Sequence, residues 1–578
     1  MLKEALMSKI HGVNGPIIRS KDVQNFKMYE MVYVSDKKIL GEVIGIDKSY
    51  ATIQIYEAST NLKIGDTIYH TQNPLSVRLG PGLLGNIFDG IGRPLIDLKH
   101  KYGNFLNVGQ NIDPKELDAN YTLTPLKKDG ETVFEGEVIA TFPETQAIEH
   151  RVLAQKSGTL SWIKTKDLSL VEDTYKIDDT NYSLSINWPI RHERKVSKKL
   201  ESKEPLITGQ RVIDTMFPII KGGAAAIPGG FGAGKTMLQH QLAKYCDADV
   251  IVYVGCGERG NEMAQVLQEF GELIDPKTGH SLLDRTILIA NTSNMPVAAR
   301  EASIYTGITY AEYYRDMGYH VALMADSTSR WAEGLRELSG RLEEMPAEEG
   351  FPAYLASRLA QFYERASFVE TLNHDIGSIS LIGAISPQGA DFSEPVTQNT
   401  QRFIGCFWAL DKNLAYIRHF PSVNYNNSYS EYTDALKSWY KDNVSETFYE
   451  NRQRFLTLLN EETQLMEIVK LIGQDILADK QRLTLEMGRL IRVGFLQQNA
   501  FHPKDASVSL QIQDVLMTSY LYMYDASLKL IEEKHTIRSL INTHLFEDLI
   551  AFKYNIEDPY DSLQNMKNHI DQTLQTID

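Results

Sequence analysis

The chain has 578 residues, too many for a single hydrophobic core, and implies three or four domains. With 43% hydrophobic and 23% charged residues it has the composition of an ordinary globular protein, which excludes a disordered or fibrous chain. A net charge of -16 argues against broad binding to nucleic-acid phosphates or anionic lipid headgroups, while leaving room for a local basic site. The three cysteines, Cys246, Cys256 and Cys406, form no CxxC pair, so neither a disulfide framework nor a zinc ribbon is expected. No uninterrupted apolar run reaches the length of a membrane span, and the start of the chain lacks the apolar core of a signal peptide. The expectation is a cytoplasmic chain that meets a membrane only through partners.

Residues 1–70 alternate β-branched and polar residues in short runs: Tyr29 to Ser35, Ile39 to Ile46, Ala51 to Tyr56 and Ile64 to Tyr69. That spacing predicts a small N-terminal β-barrel. Gly80 to Leu95 is glycine-rich and reads as a connector into a new domain. Residues 111–186 become β-rich again and carry no recognisable chemistry, which predicts an all-β insertion. Segments 71–110 and 187–435 flank that insertion. The second alternates apolar strands with helical stretches, and together they read as an α/β domain with a mainly parallel sheet. Continuous runs such as Val250 to Val254 and Val321 to Ala325 fit strands buried on both faces. Residues 436–578 have few glycines and prolines, and Leu465, Ile468, Leu471 and Ile472 share a helical face, so a C-terminal helical domain is expected.

The strongest local signal is GGFGAGKT, Gly229 to Thr236, which satisfies G-x-x-x-x-G-K-[ST]. The glycines allow successive backbone N–H groups to turn inward around phosphate oxygens. Lys235 can reach β- and γ-phosphates, and the Thr236 hydroxyl can ligate Mg²⁺. AAAIP before the loop and MLQHQLAKY after it supply the strand and helix that the mechanism requires. A glycine-rich turn that binds nothing is the bland alternative.

Hydrolysis also needs a carboxylate for the metal and a group that orients water. Asp326 closes the apolar run HVALMAD, at the strand end where open α/β sheets bind ligands. Its alternative is to cap the helix that follows. Glu258 stands where VIVYV breaks into GCGERGNE and is placed to take a proton from the lytic water. Arg259 beside it can neutralise phosphate charge, with Glu262 holding the arginine. An exposed Glu–Arg pair is the competing account.

These segments, with NTSNMPVAARE, MADSTSRWAEGLRELSGRLEEMPAEEGFPAYL, SPQGADFSEPVTQNTQR, HFPSVNYNNSYSEY and FLQQNAF, closely resemble the catalytic A subunit of V-type and archaeal-type rotary ATPases. The likeness spans nearly the whole chain. It implies a RecA-like P-loop core with an N-terminal β-barrel, an all-β insertion and a C-terminal α-helical domain. It also implies hydrolysis or synthesis of Mg-ATP, coupled to H⁺ or Na⁺ transport by a membrane sector. Carried over by motif, Lys235, Glu258 and Arg259 would act in catalysis, and Thr236 and Asp326 would hold Mg²⁺, Asp326 through water. ATP or ADP would lie on Gly229, Gly230, Phe231, Gly232, Ala233, Gly234, Lys235, Thr236 and Met237. Phe420 and Phe501 would wall the adenine, with ordinary core packing as the alternative.

The implied partners are a homologous non-catalytic B subunit in an A3B3-type hexamer, supplying an arginine finger, and central-stalk and peripheral-stalk subunits. No nucleic-acid partner is implied. This chain departs from the pattern at Gly230, where relatives often have proline or alanine, and at Ala233, where vacuolar forms carry an oxidisable cysteine. The competing functions are a non-catalytic subunit of the same ring, a helicase of the transcription-termination type and an export-apparatus ATPase. The ion pumped, the main direction of the reaction and the rotor-contact residues are not written in the sequence.

Overall fold

The computed structural model describes residues 6–117, 120–474 and 476–577. They form two compact units, and the division runs through the predicted nucleotide-binding segment. The first unit comprises residues 1–201, 221–226 and 248–404; the second comprises 202–220, 227–247 and 405–578.

The first unit opens with a seven-stranded antiparallel sheet. Its strand order is Met7–Lys9, Thr67–Pro74, Glu30–Val34, Ile39–Ile46, Ala51–Ile55, Ile17–Ser20, Gly12–Asn14. Alternation sets its inner face: in EMVYV, Glu30, Val32 and Val34 are buried while Met31 and Tyr33 are half-buried. Val32, Val34, Ile39, Val43, Ile53, Ile55 and Ile68 make a core of aliphatic side chains. The three strands before Val23 are too short and too mixed to stand out in the sequence, and the last strand lies at Thr67–Pro74 rather than at Ile64 to Tyr69.

The insertion consists of a three-stranded and a four-stranded antiparallel sheet with a shared core that includes Val133, Ile139, Phe142, Val152, Leu160, Tyr175 and Ile177. It is anchored on the rest of this unit by buried polar contacts. His150 Nδ1, held 2.7 Å from Glu144 Oε2 inside the insertion, presents Nε2 3.1 Å from the Tyr313 hydroxyl outside it; the Tyr314 hydroxyl donates to Glu144 Oε1 at 3.0 Å, and Val138 N–H donates to Asn373 Oδ1 at 2.9 Å.

The remainder of the first unit is built on parallel strands in the order Ile376–Ile385, His320–Asp326, Val250–Glu258, Thr286–Thr292, Ile87–Phe88. The central strands are buried along almost their whole length, as continuous apolar runs demand. The glycine-rich segment Gly80 to Leu95 is therefore more than a connector, because its Ile87–Phe88 pairs with Leu288 and Ile289 as an edge strand. Helix Val297–Asp316 packs on these strands and is almost entirely buried.

The second unit contains the helix Lys235–Tyr245 and the C-terminal helices Phe448–Ile472, Asp479–Leu490, Leu510–Glu532, Leu545–Phe552 and Pro559–Leu574. The helical prediction for this region holds, but the stripe chosen for it is not a core face throughout. Leu465 is buried, whereas Ile468 is 40% and Leu471 84% exposed. Periodicity places these residues on one side of a helix and says nothing about what covers that side. The side chain of Ile472 lies outside the described residues.

Candidate nucleotide site

Strand Ala224–Pro228, of which Ile227 and Pro228 belong to the second unit, delivers the chain into Gly229 to Gly234, and the helix starts at once with Lys235. Gly232 and Gly234 have φ of +78° and +91°, the left-handed region open to glycine, so the loop can curl with its N–H groups inward. The helix start adds N–H groups with no intrahelical acceptor and the positive end of the helix dipole. Lys235 Nζ folds back over this loop and donates to Gly229 O at 2.7 Å and Gly230 O at 3.1 Å. The Ser422 hydroxyl donates to the carbonyl of Ala233, tying the loop to the segment that carries Phe420. Phe231 and Met237 are exposed, and Thr236 is half-buried at the first turn of the helix.

The two aromatics proposed for adenine differ. Phe420 is half-buried, and its carbonyl accepts the Gln498 N–H at 2.6 Å. Phe501 is 89% exposed, so core packing does not account for it.

In the first unit, strand Val250–Glu258 runs parallel to His320–Asp326 with Gly255 opposite Asp326, which brings both acidic residues to the C-terminal edge of the strands. Asp326 is buried and accepts the Tyr253 hydroxyl at 3.2 Å. The residue capping helix Thr328–Arg341 is Ser327, so Asp326 is not the helix cap. Burial, then the negative charge of Asp326 and the hydrogen bond with Glu262, push the Glu258 carboxyl up to about 8, with Arg330 pulling the other way. A carboxyl in that range can exchange a proton with water near neutral pH. Arg259 is exposed and its Nη1 lies 4.0 Å from Glu262 Oε1. That is the outer limit of an ion pair.

Two arginines that the motifs contain but did not assign, Arg300 and Arg330, pack on this strand end. Gly257 has φ +73°, and a Cβ there would lie 2.9 Å from Arg330 Cβ and 3.0 Å from Arg300 Nε. Arg300 Nη2 donates to Ser293 O at 3.2 Å, and Arg330 pairs with Glu333 at 2.9 Å. No signal in the string marks them, because their packing depends on three separate segments.

Among the described residues no group of three His, Cys, Asp or Glu side chains forms a protein-only metal cage. Mg²⁺ needs none, since it keeps several waters and takes a few hard oxygens. Thr236 and Asp326 are donors of that type, and the crowded charge of Glu258, Glu262 and Asp326 is what a cation would relieve.

Four family models match in chain order: the ATP synthase alpha/beta family beta-barrel domain at residues 10–72, the alpha/beta subunit barrel-sandwich domain at 112–191, the alpha/beta family nucleotide-binding domain at 209–430, and the C-terminal domain of V and A type ATP synthase at 437–541. V-type ATP synthase alpha chain 2 of Clostridium tetani is 52% identical, covering 98% of this chain and 97% of that protein. The V-type ATP synthase alpha chain of Halothermothrix orenii is 54% identical, covering 94% of each. The chain belongs to the V/A-type ATP synthase alpha-chain family. An A-type ATP synthase chain of Methanopyrus kandleri, 47% identical over 100% of this chain and 99% of its own, extends the family to an archaeal-type member. Among solved structures, the ATPase EscN of the enteropathogenic E. coli type III secretion system superposes with a TM-score of 0.64 at 21% identity, covering 89% of this chain and 99% of that chain. That likeness shows the RecA-like P-loop fold and nothing finer. The matched C-terminal domain is the one of V and A type enzymes, which separates this family member from the export-apparatus alternative.

Proposed function

We propose that the chain is the ATP-hydrolysing subunit of a V/A-type rotary complex, with the phosphates on Gly229 to Thr236 and the lytic water on Glu258. The observation that carries this reading is the P-loop itself, with Lys235 Nζ turned over Gly229 and Gly230 where phosphate oxygens would draw it. Lys235 and the loop N–H groups neutralise the β- and γ-phosphate oxygens. Glu258 accepts the proton of the attacking water as its oxygen bonds to the γ-phosphorus. The bond from that phosphorus to the β–γ bridging oxygen breaks, and ADP leaves with the electron pair. Arg259 faces the phosphate that departs. Thr236 and Asp326 are the residues that would hold Mg²⁺, whose chemistry is to offset phosphate charge. Phe420 and Phe501 take the adenine between them.

The partners on this reading are a homologous non-catalytic B subunit in an A3B3-type ring, which lends an arginine finger, and stalk subunits that carry rotation to an H⁺- or Na⁺-conducting membrane sector. The chain then sits at the membrane surface through those partners. Among its described residues no helix is long and apolar enough to cross a bilayer.

The test is Glu258→Gln in the complex reconstituted with the B subunit and stalk subunits. Mg-ATP turnover should fall by about 10²–10⁴, the range for losing a positioned base, while ATP binding persists. Turnover that survives the change would place hydrolysis elsewhere and leave this chain a nucleotide-binding structural subunit.

A further inference from the structure

Within the second unit, the loop from Phe495 to Phe501 carries the exposed aromatic of the proposed base site. Because Phe501 has almost no packing of its own, its position depends on the backbone beneath it. That backbone is held by buried charge. Arg211 is fully buried; its guanidinium donates to Phe495 O, to Gln497 O at 2.8 Å and to Asp505 Oδ1 at 2.6 Å. The Arg211 N–H donates to Gln498 Oε1 at 2.6 Å, and Gln498 Nε2 donates to Asp505 O at 2.8 Å. Asp505 Oδ2 accepts the Asn499 N–H at 2.7 Å, and Asn499 Oδ1 accepts the Phe501 N–H at 3.0 Å. Buried Lys553 also donates to Val493 O at 3.2 Å and Gln497 O at 3.0 Å, with its ammonium 3.7 Å from Asp505 Oδ2.

The same loop is tied toward the phosphate end. The Gln498 N–H donates to Phe420 O, two residues before the Ser422 hydroxyl that holds the carbonyl of Ala233. Burying two cations and a carboxylate is costly unless their hydrogen bonds are used, and apolar side chains would hold a helical domain at lower cost. What charge adds is a fixed register for the loop, through directional bonds to the carbonyls of Val493, Phe495 and Gln497.

We infer that Arg211, Asp505 and Lys553 form a positioning cluster that presets the base-facing loop and thereby sets affinity for the nucleotide base, not for its phosphates. The inference rests on the reading of Phe420 and Phe501 as the adenine walls. None of the three touches nucleotide; they act through the loop backbone. Lys553 follows helix Leu545–Phe552, so the cluster also ties a C-terminal helix to the base loop.

The experiment compares Lys553→Met and Arg211→Lys with Lys553→Arg and Phe501→Ala, each in the complex reconstituted with its partner subunits. It reads KM and kcat for Mg-ATP and inhibition by tripolyphosphate, which has no base. Lys553→Met should raise KM about tenfold, with kcat changed by less than about twofold and tripolyphosphate inhibition unchanged. Lys553→Arg should restore KM, and Arg211→Lys should move it further in the same direction. An unchanged KM in both Lys553→Met and Arg211→Lys, while Phe501→Ala raises it, overturns the cluster and leaves the adenine walls standing. Equal weakening of ATP and tripolyphosphate overturns it as well, because that is general damage. If Phe501→Ala leaves KM intact, the adenine-wall reading fails and takes the inference with it.

Discussion

The residues proposed to bind nucleotide and those proposed to cleave it belong to different compact units, and the two sets are built in different ways. The binding half in the second unit is held by directed hydrogen bonds: Lys235 has carbonyl partners, Ser422 holds Ala233, and the base loop is tied through Arg211 to Phe495 O and through Asp505 to the Asn499 N–H. The acidic half in the first unit gathers Glu258, Glu262 and Asp326 at one strand edge, beside Arg330 and Arg300, and Glu258 is left with a carboxyl pushed up to about 8. Preorganised donors suit a ligand that must be held in one pose. Crowded like charge suits a group that must change protonation during a reaction, which is where perturbed carboxyls collect.

The contrast can be broken at its strongest contact. Lys235→Ala removes a charged donor and should weaken ATP binding by about 2–3 kcal/mol. Equilibrium binding of a fluorescent ATP analogue to the full chain checks this, and affinity within about twofold of the unchanged chain would remove the loop from the phosphate site. A smaller effect is expected in the acidic half at Gly257. Gly257→Ala forces a Cβ against Arg330 and Arg300 at φ +73°, and should cost about 1–3 kcal/mol, shared between stability and turnover. Thermal unfolding together with ATP hydrolysis by the complex reads both, and wild-type values in both would show that the arginines can move aside freely.

The effect smallest per step, a gradual one spread over pH, sharpens the binding half. Asp214 is buried, and its burial pushes the carboxyl up to about 7 despite hydrogen bonds from Thr208, Gly209 and Gln513. Its folded value thus exceeds the unfolded 3.8, so the folded state holds the extra proton in between. The resulting stability is complete below about pH 4 and is lost as pH rises toward 7, with a slope of at most about 1.4 kcal/mol per pH unit. Urea unfolding of the full chain at pH 5, 6 and 7 should show that slope, and Asp214→Asn should lack it whatever constant offset its altered hydrogen bonds add. A slope identical in the two chains would show that Asp214 is ionised across the window.

The P-loop was legible because its chemistry needs eight consecutive residues, and local order is what a sequence displays directly. Asp326 and Glu258 were legible for a related reason, since an apolar run that stops at a carboxylate marks a strand end. Nothing comparable marks Arg211, Asp505 and Lys553. They are separated by hundreds of residues or by whole helices, and each alone resembles a surface charge until the fold buries all three. Arg300 and Arg330 escaped notice likewise, because their shared neighbour is a glycine with no side chain to advertise the contact.

The order of residues alone carries the succession of β-barrel, β insertion, α/β core and helical end, the phosphate loop, and the acidic residues closing apolar strands. These rest on periodicity and on spacing within a few residues, which the covalent chain dictates. The packed chain decided that residues 202–220, 227–247 and 405–578 cohere as one unit, that Phe501 stands exposed while Leu465 is covered, and that Arg211 and Lys553 meet at Asp505. Burial and long-range pairing belong to side chains brought together from distant segments, and the free energy that selects them exists only once those segments have excluded water from one another.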